Sequence, residues 1–205
     1  MSDCAFCDRT VFEERIIAED RDFYVIATLG QITDGGYVLI FPKRHVRCMS
    51  ALSFEEMVKF AHLFLDVRNI IALEYDLFLA VFEHGIAGQT ILHAHIHLAP
   101  TEVDLTEQVK NDFPDALHES FDIVADGIPR RPANDLQPYL LWSSPEEYCP
   151  THVWWDPQDV PVQYFRIALA EKLGRPERAN WREMDPELDK RLWSDTVVRL
   201  KPYFS

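Results

Sequence analysis

Hydrophobic and polar residues follow two different periods along the first half of the chain. Phe23-Tyr24-Val25-Ile26 and Tyr37-Val38-Leu39-Ile40-Phe41 are short β-branched and aromatic runs, separated by a loop ending in Asp34-Gly35-Gly36. They predict two strands, the second closed by Pro42. Ser53-Phe54-Glu55-Glu56 then has the serine-to-glutamate spacing of a capping box, and Met57, Phe60, Ala61, Phe64, Val67 and Ile71 follow with helical period. This predicts one long helix to about Ala72 or beyond. Leu77 to Phe82 predicts another strand, Gly85 to Gln89 a glycine-containing loop, and Thr90 to Ala99 a strand closed by Pro100. The order strand, strand, helix, strand, strand implies an α+β fold with an antiparallel sheet.

After Pro100 the pattern weakens, with acidic residues and prolines spread through 102–161. The chain therefore divides into a first domain, 1–104, and a mixed, partly helical C-terminal extension, 105–205, packed on it. Within the extension, Tyr139 to Trp142 and Val153 to Trp155 are strand candidates. Asp159 with Pro161 starts an amphipathic run to Leu173 that Gly174 and Pro176 stop, and Asp185-Pro186 starts a last helix towards Leu200.

Charge and cysteine content narrow the function classes. The chain has 205 residues, 47% of them hydrophobic, enough to bury a core. With 34 acidic against 20 basic residues its net charge is −14, and that field opposes generic binding to nucleic-acid phosphates. A small anion needs basic groups gathered locally. Cys4, Cys7, Cys48 and Cys149 are too few for a disulfide framework, and no charged-then-apolar leader precedes Cys4, so the expectation is a cytoplasmic protein with reduced thiols. No apolar stretch approaches the ~20 residues that span a bilayer, so no membrane role is expected.

The chemistry concentrates in His93-Ala94-His95-Ile96-His97. In a strand, alternation puts His93, His95 and His97 on one face and Ala94 and Ile96 on the other. Three readings stay open: convergence of the rings on a metal, nucleophilic attack by one neutral imidazole with its neighbours orienting it, or half-buried polar residues on an ordinary sheet face. Three in register outweigh the last. Cys4-Ala5-Phe6-Cys7 is a two-spacer pair, read either as unliganded, in a redox pair or a frayed terminus, or, with His45 and His93 as natural completions, as a closed Cys2His2 structural zinc site that leaves His95 free; the zinc reading is preferred.

Gly36-Tyr37-Val38-Leu39-Ile40-Phe41-Pro42-Lys43-Arg44-His45 and Gln89-Thr90-Ile91-Leu92-His93-Ala94-His95-Ile96-His97-Leu98-Ala99-Pro100 resemble the Pro-Lys-x-His segment and the histidine triad of the HIT superfamily. Cys4-x-x-Cys7 is similar to that of its zinc-containing bacterial branch. The resemblance covers roughly residues 4–100. It implies a nucleotide hydrolase or nucleotidyltransferase whose middle histidine attacks the α-phosphorus of a nucleoside phosphate, dinucleoside polyphosphate or phosphoramidate. Carried over, His95 is the nucleophile, His97 contacts the phosphate and His93 completes the triad. Gln89 and Thr90 lie near the leaving group and Thr28 near the base and ribose. Read from the residues themselves, Lys43 in the basic stretch Lys43, Arg44, His45, Arg47 either meets phosphoryl charge or sits in a solvated loop, and His84 either touches the leaving group or phosphate or simply ends its strand. Structural zinc and no organic cofactor are implied. So is a homodimer through the long helix and a strand, supported by Met57, Phe60 and Phe64, unless the extension covers that surface. The alternatives are a non-catalytic nucleotide-binding module and a metal-dependent hydrolase with zinc held by the triad.

Two departures stand out. Many relatives have Gly-His where this chain has Gly36-Tyr37, and compact members lack the extension. The segments around Gln163 to Arg166 and Gly174 to Arg182 look faintly like the C-terminal segment of splicing-associated HIT-like proteins. Arg166, Arg175, Arg178 and Arg182 are read as balancing an acidic surface rather than edging the pocket. Trp142, Trp154, Trp155 and Trp181 are read as core or interface, His62 as helix packing, and His118 and His152 have no nameable partner.

Overall fold

The computed structural model describes residues 4–123, 128, 137–146 and 150–204; Cys149 lies outside them. Eight antiparallel strands form one sheet in the order β1-β2-β3-β5-β4-β7-β8-β6. The strands are β1 Ile16–Glu19, β2 Phe23–Ala27, β3 Val38–Pro42, β4 Leu79–Gly85, β5 Ile96–Pro100, β6 Leu117–Asp122, β7 Tyr139–Ser143 and β8 Pro150–Trp155. The α+β expectation holds. β1 and β6 went unread because they are short or largely exposed and lack alternating apolar residues.

Helix α1, Phe54–Tyr75, starts as its capping box requires. Ser53 Oγ accepts from Glu56 N at 3.2 Å and Glu56 accepts from Ser53 N at 2.8 Å, while Arg44 grips the same carboxylate at 2.9 Å. Its apolar stripe, Met57, Phe60, Phe64, Val67 and Ile71, is buried against Val38, Ile40, Ile96 and Leu98. Each fully buried Phe stabilises the fold by roughly 1.5–3 kcal/mol. Met57, Phe60 and Phe64 are thus inside the chain's own core, which removes the support they gave a dimer.

The other helices come from the second half: α2 Thr106–Asp112, α3 Tyr164–Lys172 and α4 Pro186–Leu200. α4 begins as expected, with Asp185 accepting from Leu188 N at 2.7 Å and Pro186 in the first turn. α3 begins later than Pro161, because Asp159 and Gln163 both take left-handed backbone with φ 54° and 64°. Gly174 ends it with φ 70°, as its position implied.

The extension continues the sheet. β7 pairs with β4 from Val81↔Ser143 to Gly85↔Tyr139, so that edge of β4 is occupied. The two faces differ. α1 and α4 lie on one side, whereas on the other Tyr37, Phe82, Ala99, Trp142 and Phe165 form a second core cluster. Across that second face Leu39 on β3 pairs with His97 on β5.

Candidate functional site

The histidine run is only partly strand. Ladder pairing of β5 starts at Ile96, and residues 91–95 bend into it, with His93 N bonded to Ile91 O at 2.8 Å and Ala94 N to Val46 O at 2.7 Å. Alternation survives from Ala94 onward, since Ala94, Ile96 and Leu98 join the α1 core. His95 and His97 line a cavity on the opposite face.

The bend separates the first ring from the other two. His93 Nε2 bonds the Pro42 carbonyl at 2.8 Å, so the ring nitrogen left to accept is Nδ1, 3.5 Å from Cys4 Sγ and 3.6 Å from Cys7 Sγ. His45 Nδ1 stands 3.3 Å from Cys7 Sγ, and the four donor atoms lie within 4.8 Å of one another. These residues can hold a metal ion. Bonds of about 2.3 Å to sulfur and 2.0 Å to nitrogen at a tetrahedral angle place S and N about 3.5 Å apart, which is the spacing seen. His95 and His97 belong to no such donor group among the described residues. The triad therefore does not converge on one ion.

His95 Nδ1 donates to the His93 carbonyl at 2.6 Å, which leaves a lone pair on Nε2. Burial, the main cause, lowers its pKa to about 4, so the ring is neutral near pH 7. His97 is held in the opposite sense. Arg166 Nη1 donates to Tyr37 Oη at 3.2 Å, and Tyr37 passes its hydroxyl hydrogen to His97 Nδ1 at 2.6 Å, so His97 presents an Nε2–H. Burial pushes Tyr37 up to about 12 and holds His97 well below the usual imidazole range. The His97 ring stacks on Phe82 at 4.4 Å, and the His95 and His97 centroids are 4.9 Å apart.

The cavity, a cleft enclosing about 580 Å³ with open solvent included, has apolar walls from Phe6, Phe12, Leu39 and Ile91. Of the residues expected at the substrate, Thr28 and Thr90 line it. Gln89 does not; its Nε2 bonds Arg47 O at 2.9 Å and its Oε1 is buried without a partner. His84 sits behind His97, 6.2 Å between centroids, accepting from Phe165 N at 3.2 Å, with its pKa lowered to about 3 chiefly by burial. Lys43 is directed away: it pairs with Glu19 at 2.8 Å and lies 4.4 Å over the Tyr24 ring. The cavity's cations are instead Arg15 and Arg166.

Arg166 corrects the surface reading of its segment, being 4% exposed on the cavity wall. Trp181 lines the cavity too, rather than filling core or interface. Its Cβ passes so close to Gly30 that a side chain at residue 30 would lie 2.4 Å from it, and Gly30 has φ 67°. Arg175 and Arg178 hold Asp34 at the surface. Trp142, Trp154 and Trp155 are core, and His62 is exposed on α1. His118 and His152 partner each other, 3.1 Å apart. No sequence signal singles out Arg15, and Arg166 is marked only as a charge set among Phe165, Ala168 and Leu169.

Residues 9–103 match the model of the HIT domain. This stretch is a HIT domain. Among solved structures, the chain is similar to a hypothetical histidine triad nucleotide-binding protein from Sulfolobus tokodaii strain7, with 26% identity, 49% of this chain and 71% of that one covered, and a TM-score of 0.43. A HIT family protein from Bacillus anthracis str. Ames Ancestor is 27% identical, with coverage of 48% and 73% and a TM-score of 0.44. A HIT family member from Bacillus subtilis is 22% identical, with coverage of 48% and 73% and a TM-score of 0.43. No curated protein matches the chain. Outside and within this HIT domain, no helix among the described residues is long and apolar enough to cross a membrane.

Proposed function

We propose that the protein is a nucleotide hydrolase or nucleotidyltransferase working through a nucleotidyl-histidine intermediate. The observation that carries this reading is that two imidazoles at one cavity have opposite partners at Nδ1: the His93 carbonyl leaves His95 a lone pair on Nε2, and the Tyr37 hydroxyl leaves His97 an Nε2–H. In the first step the His95 lone pair forms an N–P bond to the α-phosphorus, and the bond to the leaving group breaks with its electrons leaving on that group. The His93 carbonyl holds the Nδ1 proton, and with it the positive charge that develops on the ring. His97 donates to a phosphoryl oxygen, its proton held on Nε2 by Tyr37 and Arg166. In the second step water or another acceptor attacks phosphorus, the N–P pair returns to His95, and the acceptor's proton passes to solvent.

In this reading Thr90 lies near the leaving group, Thr28 near the nucleoside, and the apolar walls take the base. His93 is a positioning residue, its ring committed to the cysteine corner. Cys4, Cys7, His45 and His93 would hold zinc, which when bound supplies a structural clamp with all four positions taken. The catalytic part is 1–104, and the extension from 105 onward completes the cavity wall with Arg166 and Trp181. The test is mass spectrometry on the chain quenched during turnover of an adenosine phosphoramidate. A gain of one adenylyl group mapping to His95 is expected; turnover without any protein-bound nucleotidyl group contradicts the reading.

A further inference from the structure

Arg15 follows the exposed Glu13 and Glu14, yet it is itself only 7% exposed and lines the cavity. A guanidinium carries five N–H donors. Among the described residues this one makes a single hydrogen bond, from Nη1 to Ala27 O at 2.9 Å, and no ion pair. Burial lowers its pKa to about 10, the charge of Asp189 offsets this only in part and without a hydrogen bond, and Asp189 Oδ1 is already occupied by Gly30 N and Gln31 N at 2.9 and 3.2 Å. Among the described residues, no carboxylate lines the cavity. Its other donors are not sealed from solvent, so they are open to an acceptor in the cavity, and the planar fork suits phosphoryl oxygens.

The acceptor is not the phosphate at His97. Leu39 pairs with His97, Ile26 with Leu39 and Ile16 with Ile26, so the sheet steps from β5 across β3 and β2 to β1. Arg15 is pinned over β2 by Ala27 O, two strands from β5, on the order of 10 Å away at about 4.8 Å per strand. Between the two positions lie the walls formed by Leu39 and Phe12. A ribose that carries a second phosphoryl group reaches across such a gap; one phosphate does not.

Resting on the reading of His95 and His97 as a nucleotide site, we infer that the cavity selects nucleotides carrying a second phosphoryl group on the ribose, held by Arg15. Calorimetric titration of the full chain with adenosine 5′-monophosphate, the 2′,5′- and 3′,5′-bisphosphates and guanosine 5′-monophosphate tests it. One bisphosphate is expected to bind at least about tenfold tighter than the 5′-monophosphate in the wild type. That advantage should vanish in Arg15→Gln, which keeps a donor for Ala27 O, and be partly retained in Arg15→Lys. Bisphosphates binding no tighter than the monophosphate would overturn the inference and leave the nucleotide site standing. So would a preference for guanosine 5′-monophosphate alone, which would make Arg15 a base reader, or an advantage that survives Arg15→Gln. No binding of any of the four would remove both readings.

Discussion

The two ends of the run His93 to His97 are built by different means. At the first end the partners come from the N-terminal half: Cys4, Cys7, His45 and the Pro42 carbonyl fix the His93 ring, and the His93 carbonyl in turn fixes His95. At the far end His97 is set by Tyr37, which is itself held by Arg166 from α3, and Arg166 is braced by Gly30 O at 2.8 Å. Backbone and sulfur orient one ring; a side-chain chain spanning both halves orients the other. Adjacent residues of one type thus acquire opposite proton positions because each neighbour offers the opposite hydrogen-bonding role.

The strongest way to separate the two ends is to remove the ring between them. His95→Ala is expected to lower turnover by roughly 10⁴-fold or more while thermal unfolding stays cooperative, as loss of a nucleophile does. Undiminished product release from that variant would show that neither end serves catalysis. The first end alone is broken by a strong chelator or by Cys7→Ser. Loss of about 3 kcal/mol is expected, lowering Tm by about 6–12 °C for a chain of this size, with activity falling less steeply than stability. An unchanged melting curve after verified metal removal would contradict the clamp.

Glu83 probes the seam between the halves, since its buried carboxyl accepts from Met49 N at 2.8 Å and Tyr139 Oη at 2.5 Å. Burial raises its pKa from 4.5 to about 7. A raised folded pKa means that the folded state binds the extra proton. The associated stability is complete below pH 4.5 and is lost as pH rises through about 7, by about 3 kcal/mol at most. Denaturant titrations across that window should show the decline, and Glu83→Gln should flatten it. The far end is tested most gently by Tyr37→Phe. It strips His97 Nδ1 of its donor, and a fall in kcat of about 10- to 100-fold with little change in KM is expected. Equal loss in KM and kcat would make Tyr37 a mere packing residue.

The first end was legible in the sequence because its parts are local signals: a two-spacer cysteine pair, a histidine after Pro42-Lys43, and alternating histidines. The long helix was legible from Ser53, Glu56 and its apolar stripe, and α4 from Asp185-Pro186. The far end was not. Arg166 meets Tyr37 across 129 residues, and the run Tyr164 to Ala168 does not decide between a guanidinium turned inward and one on the surface. Arg15 was hidden likewise, because burial after two exposed glutamates is a tertiary outcome. Lys43 was misplaced for the converse reason: Glu19 and Tyr24, two strands' worth of neighbours, draw it away from the cavity.

Nitrogen-15 NMR of the imidazole rings reads proton positions without any substrate. The account predicts that His95 carries its hydrogen on Nδ1 and His97 on Nε2, both rings neutral near pH 7. Finding His95 protonated on Nε2, or both rings in the same tautomer, would contradict it.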